Sequence, residues 1–175
     1  TEETTHAARA RRTARKLARH RWRSMKTMDE SPRMKPRISV ITLGVDDLER
    51  AVAFYRDGLG LPTEGIVGTQ YPHGAVAFFD MQAGLKLALW PRQSLAADTG
   101  LALAAPSATE VAVAQNVASP QEVEAVMTQA EAAGSKVLKR PGPAFWGGHT
   151  GCFQDPDGHV WEIAFNPDWP LPADG

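Results

Sequence analysis

One order of elements, a strand, a helix and three short strands, is written twice in this chain at a spacing of about 70 residues, and few folds accommodate such a duplication. The first copy opens with ISVITLGV over residues 38–45, a β-branched run that ends at Asp46 and Asp47, whose carboxylates suit a helix N-cap. Leu48, Ala51, Val52, Phe54 and Tyr55 then give one apolar face to a helix predicted over residues 48–56, which Gly58, Gly60 and Pro62 bring to an end. Strands are predicted over residues 64–68, 75–81 and 85–90. The second copy starts with a strand over residues 110–117. Ser119 stands as N-cap, Pro120 takes the first helical position and Glu122 the capping-box place. Val123, Val126, Met127, Ala130 and Ala133 form the buried stripe, Gly134 ends the helix, and strands follow over residues 136–138, 150–153 and 160–165. The run PGPAFWGGH separates the first two of these as a loop. Between the copies, the Ala-rich residues 95–109 read as a connector with room for one helical turn.

The last strand is the most informative. Asp155-Pro156-Asp157-Gly158 is a turn in which Pro presets one dihedral, Asp bonds its own backbone and Gly accepts positive φ. Period two then sends Trp161, Ile163 and Phe165 to one face and Val160, Glu162 and Ala164 to the other. Three large apolar side chains pack on a helix. Glu162 shares its face with small residues, which suits the wall of a cavity; the competing reading is an exposed carboxylate on a solvated sheet.

The 175 residues suffice for one domain or two half-domains with a proper core. The one cysteine, Cys152, forms no internal disulfide, and no apolar run approaches the roughly 18 residues of a membrane span. The Arg-rich start lacks the apolar core of a secretory signal, so the expected setting is reduced and cytoplasmic, with no membrane. Charge is divided unevenly. Residues 1–37 carry 12 Lys and Arg against 4 Asp and Glu, or +8; the remainder carries 19 − 12 = 7 against 20 − 4 = 16, or −9. Within that basic arm Ala7, Ala10, Ala14, Ala18, Trp22 and Met25 recur at helical spacing, which predicts a helix over residues 6–25. Residues 29–36, with Pro32 and Pro36, read as a linker, residues 1–36 forming arm and linker together, and residues 168–175 read as a tail. Three roles compete for the arm: a solvated tail from an upstream start, a contact to nucleic acid or acidic membrane, and an arm laid on the acidic body of its own or a partner subunit.

Residues 37–167 resemble the vicinal oxygen chelate superfamily, which includes glyoxalase I, bleomycin and fosfomycin resistance proteins and extradiol dioxygenases. VITLGVDDLERAVAFYRDGLGLP at residues 40–62 is similar to that superfamily's first strand and helix, and DPDGHVWEI at residues 155–163 to its last turn and strand. The resemblance implies an α+β fold of paired βαβββ modules, about residues 37–92 and 109–167, whose curled mixed sheets enclose a cavity. It also implies a homodimer as the expected assembly.

Function has to be argued from the site. Metal-dependent members hold a divalent ion with His, Glu or Gln from the first and last strands of each module, and those places fall here on Val40, Ala88, Ala112 and Glu162. One carboxylate in four does not make a metal site, so no metal and no other cofactor is expected; a divalent metal remains only as the alternative. Other groups with ligand atoms near the presumed cavity are Gln115, Asn116, His149, Cys152 and His159, of which His159 reads as a strand-end residue. Trp90 shares phase with Ala88, while Phe145 and Trp146 lie on the loop over the second module. The candidate ligand-binding residues are therefore Trp90, Asn116, Trp146, His149 and Glu162, with Glu162 also the candidate catalytic group. An aromatic-lined cleft with one carboxylate suits a planar or weakly cationic organic molecule. The leading function is binding of such a small molecule without the family's usual metal site. The alternative is a glyoxalase-type lyase or isomerase in which Glu162 is general base on a proton next to a carbonyl, since a desolvated carboxylate is tuned toward that task. A nucleic-acid role rests on the arm alone. Extradiol dioxygenase chemistry ranks last, because it needs a His-His-carboxylate set.

Overall fold

The computed structural model describes residue 34, residues 36–169 and residue 171; the arm, with its expected helix over residues 6–25, lies outside the described residues. The first strand, β1 (Val40–Val45), leads through Asp46 and Asp47 into helix α1 (Leu48–Ala53), and the Asp47 carboxylate accepts the Arg50 N–H at 3.0 Å as N-cap. β2 (Thr63–Val67), β3 (Val76–Asp80) and β4 (Lys86–Pro91) follow and complete a four-stranded sheet in the order β1-β4-β3-β2. A second helix, α2 (Arg92–Thr99), precedes β5 (Ala112–Asn116), helix α3 (Pro120–Ala132), β6 (Lys136–Pro143), β7 (His149–Gln154) and β8 (Val160–Phe165), and these four strands form a sheet in the order β5-β8-β7-β6. In each sheet the outer pair, β1 with β4 and β5 with β8, is parallel and the rest are antiparallel. The duplication read in the sequence is a duplication of sheets.

Helix α3 starts as its sequence dictates. Ser119 Oγ accepts the Glu122 N–H at 3.2 Å, and the Glu122 carboxylate reaches back to the Ala118 N–H at 2.9 Å. Its Val123, Met127 and Ala130 are buried against the second sheet, where Phe153, Trp161 and Ile163 wait. Each large side chain so buried contributes about 1.5–3 kcal/mol. On the first sheet Leu43, Val45, Ala77, Phe79, Leu87 and Leu89 receive α1. One continuous core links the modules, with Phe54 packed against Phe153 and Tyr55 against Trp161.

Four elements differ from the sequence reading. The first helix is α-helical only to Ala53 and continues as a π turn, Phe54–Gly58, closed by the Leu59 N–H on the Phe54 carbonyl at 2.9 Å. The extra residue in that turn allows the neighbours Phe54 and Tyr55 both to be buried. An eight-residue helix, α2, begins at Arg92, ahead of the expected connector, and runs into it to end at Gly100 in the left-handed region, where room for one turn was expected. Its sequence carries little apolar signal because its main buried side chain is Ser94. β6 runs to Pro143 instead of stopping near residue 138: Pro141 and Pro143 are tolerated because β6 is the sheet's edge and is bulged. The expected PGPAFWGGH loop is thereby shortened to residues 144–148.

Candidate functional site

The DPDG turn joins the modules. Asp155 is buried and its carboxylate accepts the Tyr55 hydroxyl at 2.7 Å, the backbone N–H of Asp157 at 3.0 Å and of His159 at 2.8 Å, and meets His159 Nδ1 at 2.8 Å. Trp161 Nε1 donates to the Tyr55 oxygen at 3.0 Å. Asp157 accepts the Asp46 N–H and an Arg50 N–H, each at 2.8 Å, so the start of α1 is tied to the same turn. Gly158 closes it at φ 92°, as only glycine does without strain. Burial alone would raise the Asp155 carboxyl, but the hydrogen bond and charge of His159, the Tyr55 hydroxyl and the backbone together hold it below its usual value. Burial would lower His159, yet its bond to Asp155, the charges of Asp155 and Asp157, and the Gly44 carbonyl raise it. Burial first, and then the Asp155 charge, push the Tyr55 phenol well above its ordinary range. This network is a clasp between β1, α1 and β8, in which His159 is held through Nδ1 while it also borders a cavity.

Glu162 turns the other way. Along β7, Gly151 and Phe153 face α3: a Cβ on Gly151 would stand 3.0 Å from Met127. Cys152 and its cross-strand partner Glu162 therefore occupy the opposite face, with Ala114 beside Glu162 on β5. Glu162 Oε1 accepts the Thr150 hydroxyl at 2.9 Å, and Thr150 is buried. The Cys152 thiol is pushed up by burial and by the charge of Glu162, against an opposing pull from Lys139. Carboxylate, thiol and ammonium thus lie on one face of the sheet. Thr150 and Lys139 were missed in the sequence. Thr150 was legible in principle, because it opens the predicted strand over residues 150–153 in phase with Cys152.

The five candidate binding residues do not form one cluster. Asn116, opposite Ala164, lies on the Glu162 face. His149 lies in phase with Gly151 and so on the α3 side, where its Nε2 meets the Glu124 carboxylate at 2.9 Å. Trp146 is 37% exposed, and its ring fills the space over Gly148, where a Cβ would come within 1.7 Å of it. Gly148 makes room for this indole, while Gly147 adopts a φ of 91°. Trp90, opposite Gly44, is half-buried, and its Nε1 donates to the His73 carbonyl at 2.9 Å.

The resemblance assigns the ligand places of the metal-dependent members to Val40, Ala88, Ala112 and Glu162. Val40 and Ala88 lie on the face of the first sheet turned away from α1, and Ala112 lies in phase with Ala114 beside Glu162. Three of the four carry no donor atom. Helix α2 also packs on that first face, since a Cβ at Gly44 would meet Arg92 Cγ at 2.9 Å, and Ala88 is buried. Among the described residues no three His, Cys, Asp or Glu side chains converge as a metal-ligand group. The residues present do not fit a divalent ion. A separate cavity of about 760 Å³ runs between β1, α2 and the start of β8, walled by Thr42, Leu95, Leu103, Val113 and Val160. None of the five predicted residues lines it.

Two four-stranded mixed sheets related by duplication, each backed by a helix, define a protein of the glyoxalase fold. The family model of the Glyoxalase/Bleomycin resistance protein/Dioxygenase superfamily matches residues 37–163, and the chain belongs to that superfamily. A glyoxalase-related enzyme from Fulvimarina pelagi is 39% identical, with 81% of this chain and 96% of that one covered at a TM-score of 0.70. A glyoxalase/bleomycin resistance protein/dioxygenase from Nocardioides is 27% identical over 90% and 97% of the two chains, TM-score 0.66. A genomically encoded fosfomycin resistance protein from Listeria monocytogenes is 25% identical over 76% and 95%, TM-score 0.56. No curated protein matches significantly. No described helix is long and apolar enough to cross a membrane.

Proposed function

We propose that this chain binds a small organic molecule against the Glu162 face of its second sheet, without the metal site of its metal-dependent relatives. The observation that carries this reading is the donor set: Val40, Ala88 and Ala112 offer no ligand atom, while Glu162 is kept and oriented by Thr150. Glu162 supplies a carboxylate for a cationic or hydrogen-bonding group, Asn116 a second polar contact, and Ala112 and Ala114 leave space above the strand. Trp90 and Trp146 offer aromatic surface, each tied to its own module. Metal analysis of protein purified without chelator, paired with ligand binding to wild type and Glu162→Gln, tests the reading. We expect no stoichiometric metal and binding weakened about five-fold or more by the substitution, the worth of about 1 kcal/mol. Stoichiometric divalent metal that disappears in Glu162→Gln would overturn it.

The enzymatic reading has one observation in its favour, that the 39% identical relative is described as an enzyme. In that case Glu162 accepts a proton from carbon next to a carbonyl and returns it to the neighbouring position, a lyase or isomerase step requiring no redox partner. Incorporation of solvent deuterium at the neighbouring carbon that receives the proton, abolished by Glu162→Gln, distinguishes the enzyme from the binding protein.

A further inference from the structure

We propose that Lys139 and Glu162 are the two charged ends of a single ligand site, with Cys152 on its floor, and that the site takes a zwitterionic small molecule bearing an anionic group at one end and an ammonium at the other. This deepens, and rests on, the assignment of the Glu162 face as the binding surface.

The argument begins with a defect in β6. Val137 pairs with Phe153 but Lys139 pairs with Cys152, so β6 spends two steps where β7 spends one. Without that bulge Lys139 would keep the phase of Val137, which packs against the core, and an ammonium would be driven toward Phe153 and α3. A bulge re-aims the following side chain, and such irregularities recur beside functional sites. Here it delivers Lys139 to the strand row that continues through Cys152 and Glu162 to Ala114. The opposing effects of Lys139 and Glu162 on the Cys152 thiol place both charges within its reach.

Two strand spacings separate Lys139 from Glu162, roughly 10 Å between backbones. Among the described residues neither is part of an ion pair. The buried Thr150 hydroxyl holds one Glu162 oxygen and leaves the other for a ligand. A purely anionic ligand reaching Lys139 would meet the Glu162 carboxylate, and a purely cationic one would meet the Lys139 ammonium. A molecule carrying both signs in the opposite order satisfies each end. The floor between the ends is the Cys152 side chain on β7, which admits a short apolar spacer.

Cys152 is the single cysteine of the chain and reports on the site directly. The test follows its alkylation by iodoacetamide in the presence of 6-aminohexanoate, hexanoate or hexylamine, in the full chain and in Lys139→Met and Glu162→Gln variants matched for thermal unfolding midpoint. We expect 6-aminohexanoate to protect at a concentration about five-fold lower than either singly charged analogue, the worth of one added, partly exposed ion pair. Lys139→Met should bring it level with hexylamine, and Glu162→Gln level with hexanoate. Equal protection by hexylamine in the unaltered chain would overturn the role of Lys139 and leave the Glu162 surface standing. No protection by any of the three would overturn both.

Discussion

Tyr55 shows how one side chain joins the two halves of this molecule. It stands at the π turn of the first module, yet its hydroxyl donates to Asp155 and accepts from Trp161 in the second. Its phenol, held protonated by burial, remains a donor throughout the physiological range. His159 completes the arrangement and makes it pH-dependent. A histidine whose folded pKa is raised stabilises the fold fully below its unfolded value of about 6.5, and that stabilisation is lost as pH rises through the folded value. Asp155, held below its usual value, acts in the opposite sense: its contribution is present above about pH 3.9 and disappears as pH falls through the folded value. Stability should therefore decline on the alkaline side of about pH 6.5 in a step attributable to His159. Urea unfolding across that range should show the step in the wild type and a flat profile in His159→Gln. A step of equal size in the variant would assign it to another group.

At the scale of elements, the two helices meet where the chain leaves little room. A Cβ on Gly58, at the end of the π turn, would stand 2.5 Å from the Ala133 methyl beyond α3, and Gln129 Nε2 donates to the Gly58 carbonyl at 3.1 Å. Gly58→Ala should therefore cost about 1–3 kcal/mol by overpacking, seen as a lower midpoint in thermal unfolding. Ala133→Gly, which removes the opposing methyl, should recover part of the loss in the double variant. Purely additive effects would place the cost of Gly58→Ala elsewhere. The sequence named this glycine as a helix stop, which it is, but gave no hint that a second helix would press on it. The bulge in β6 was equally hidden: Pro141 and Pro143 argued for a loop, and only the edge position of β6 allows them inside a strand. β1, β3, β4 and β8, by contrast, fall within two residues of their predicted bounds, since alternation and caps are local properties.

At the scale of the whole molecule the uneven charge is the feature the family does not explain. Charges of +8 and −9 attract one another at separations within a Debye length of about 10 Å at 0.1 M salt. We propose that the arm docks on an acidic surface of a homodimer partner. Removing residues 1–33 should then lower the thermal midpoint at low salt, by a margin that shrinks at high salt, and shift the solution mass toward the monomer. Unchanged mass and midpoint at both salt levels would make the arm a dispensable tail.

By itself the sequence determined the repeated strand and helix order and the faces of those elements, because caps, turn chemistry and period-two alternation act over a few residues and need no distant partner; the family came from the resemblance carried by residues 40–62 and 155–163. Strand phase also put Glu162 on the face opposite Trp161 and Ile163, since a period of two decides which side chains share a face. Only the tertiary structure decided which polar groups meet. His149 went to Glu124 on α3, Trp146 closed over Gly148, and a bulge brought Lys139 to Cys152 and Glu162. Those outcomes depend on cross-strand register, on edge position and on helices packed from elsewhere in the chain. Such contacts join residues far apart in sequence, where local pattern carries no information about which pair will form.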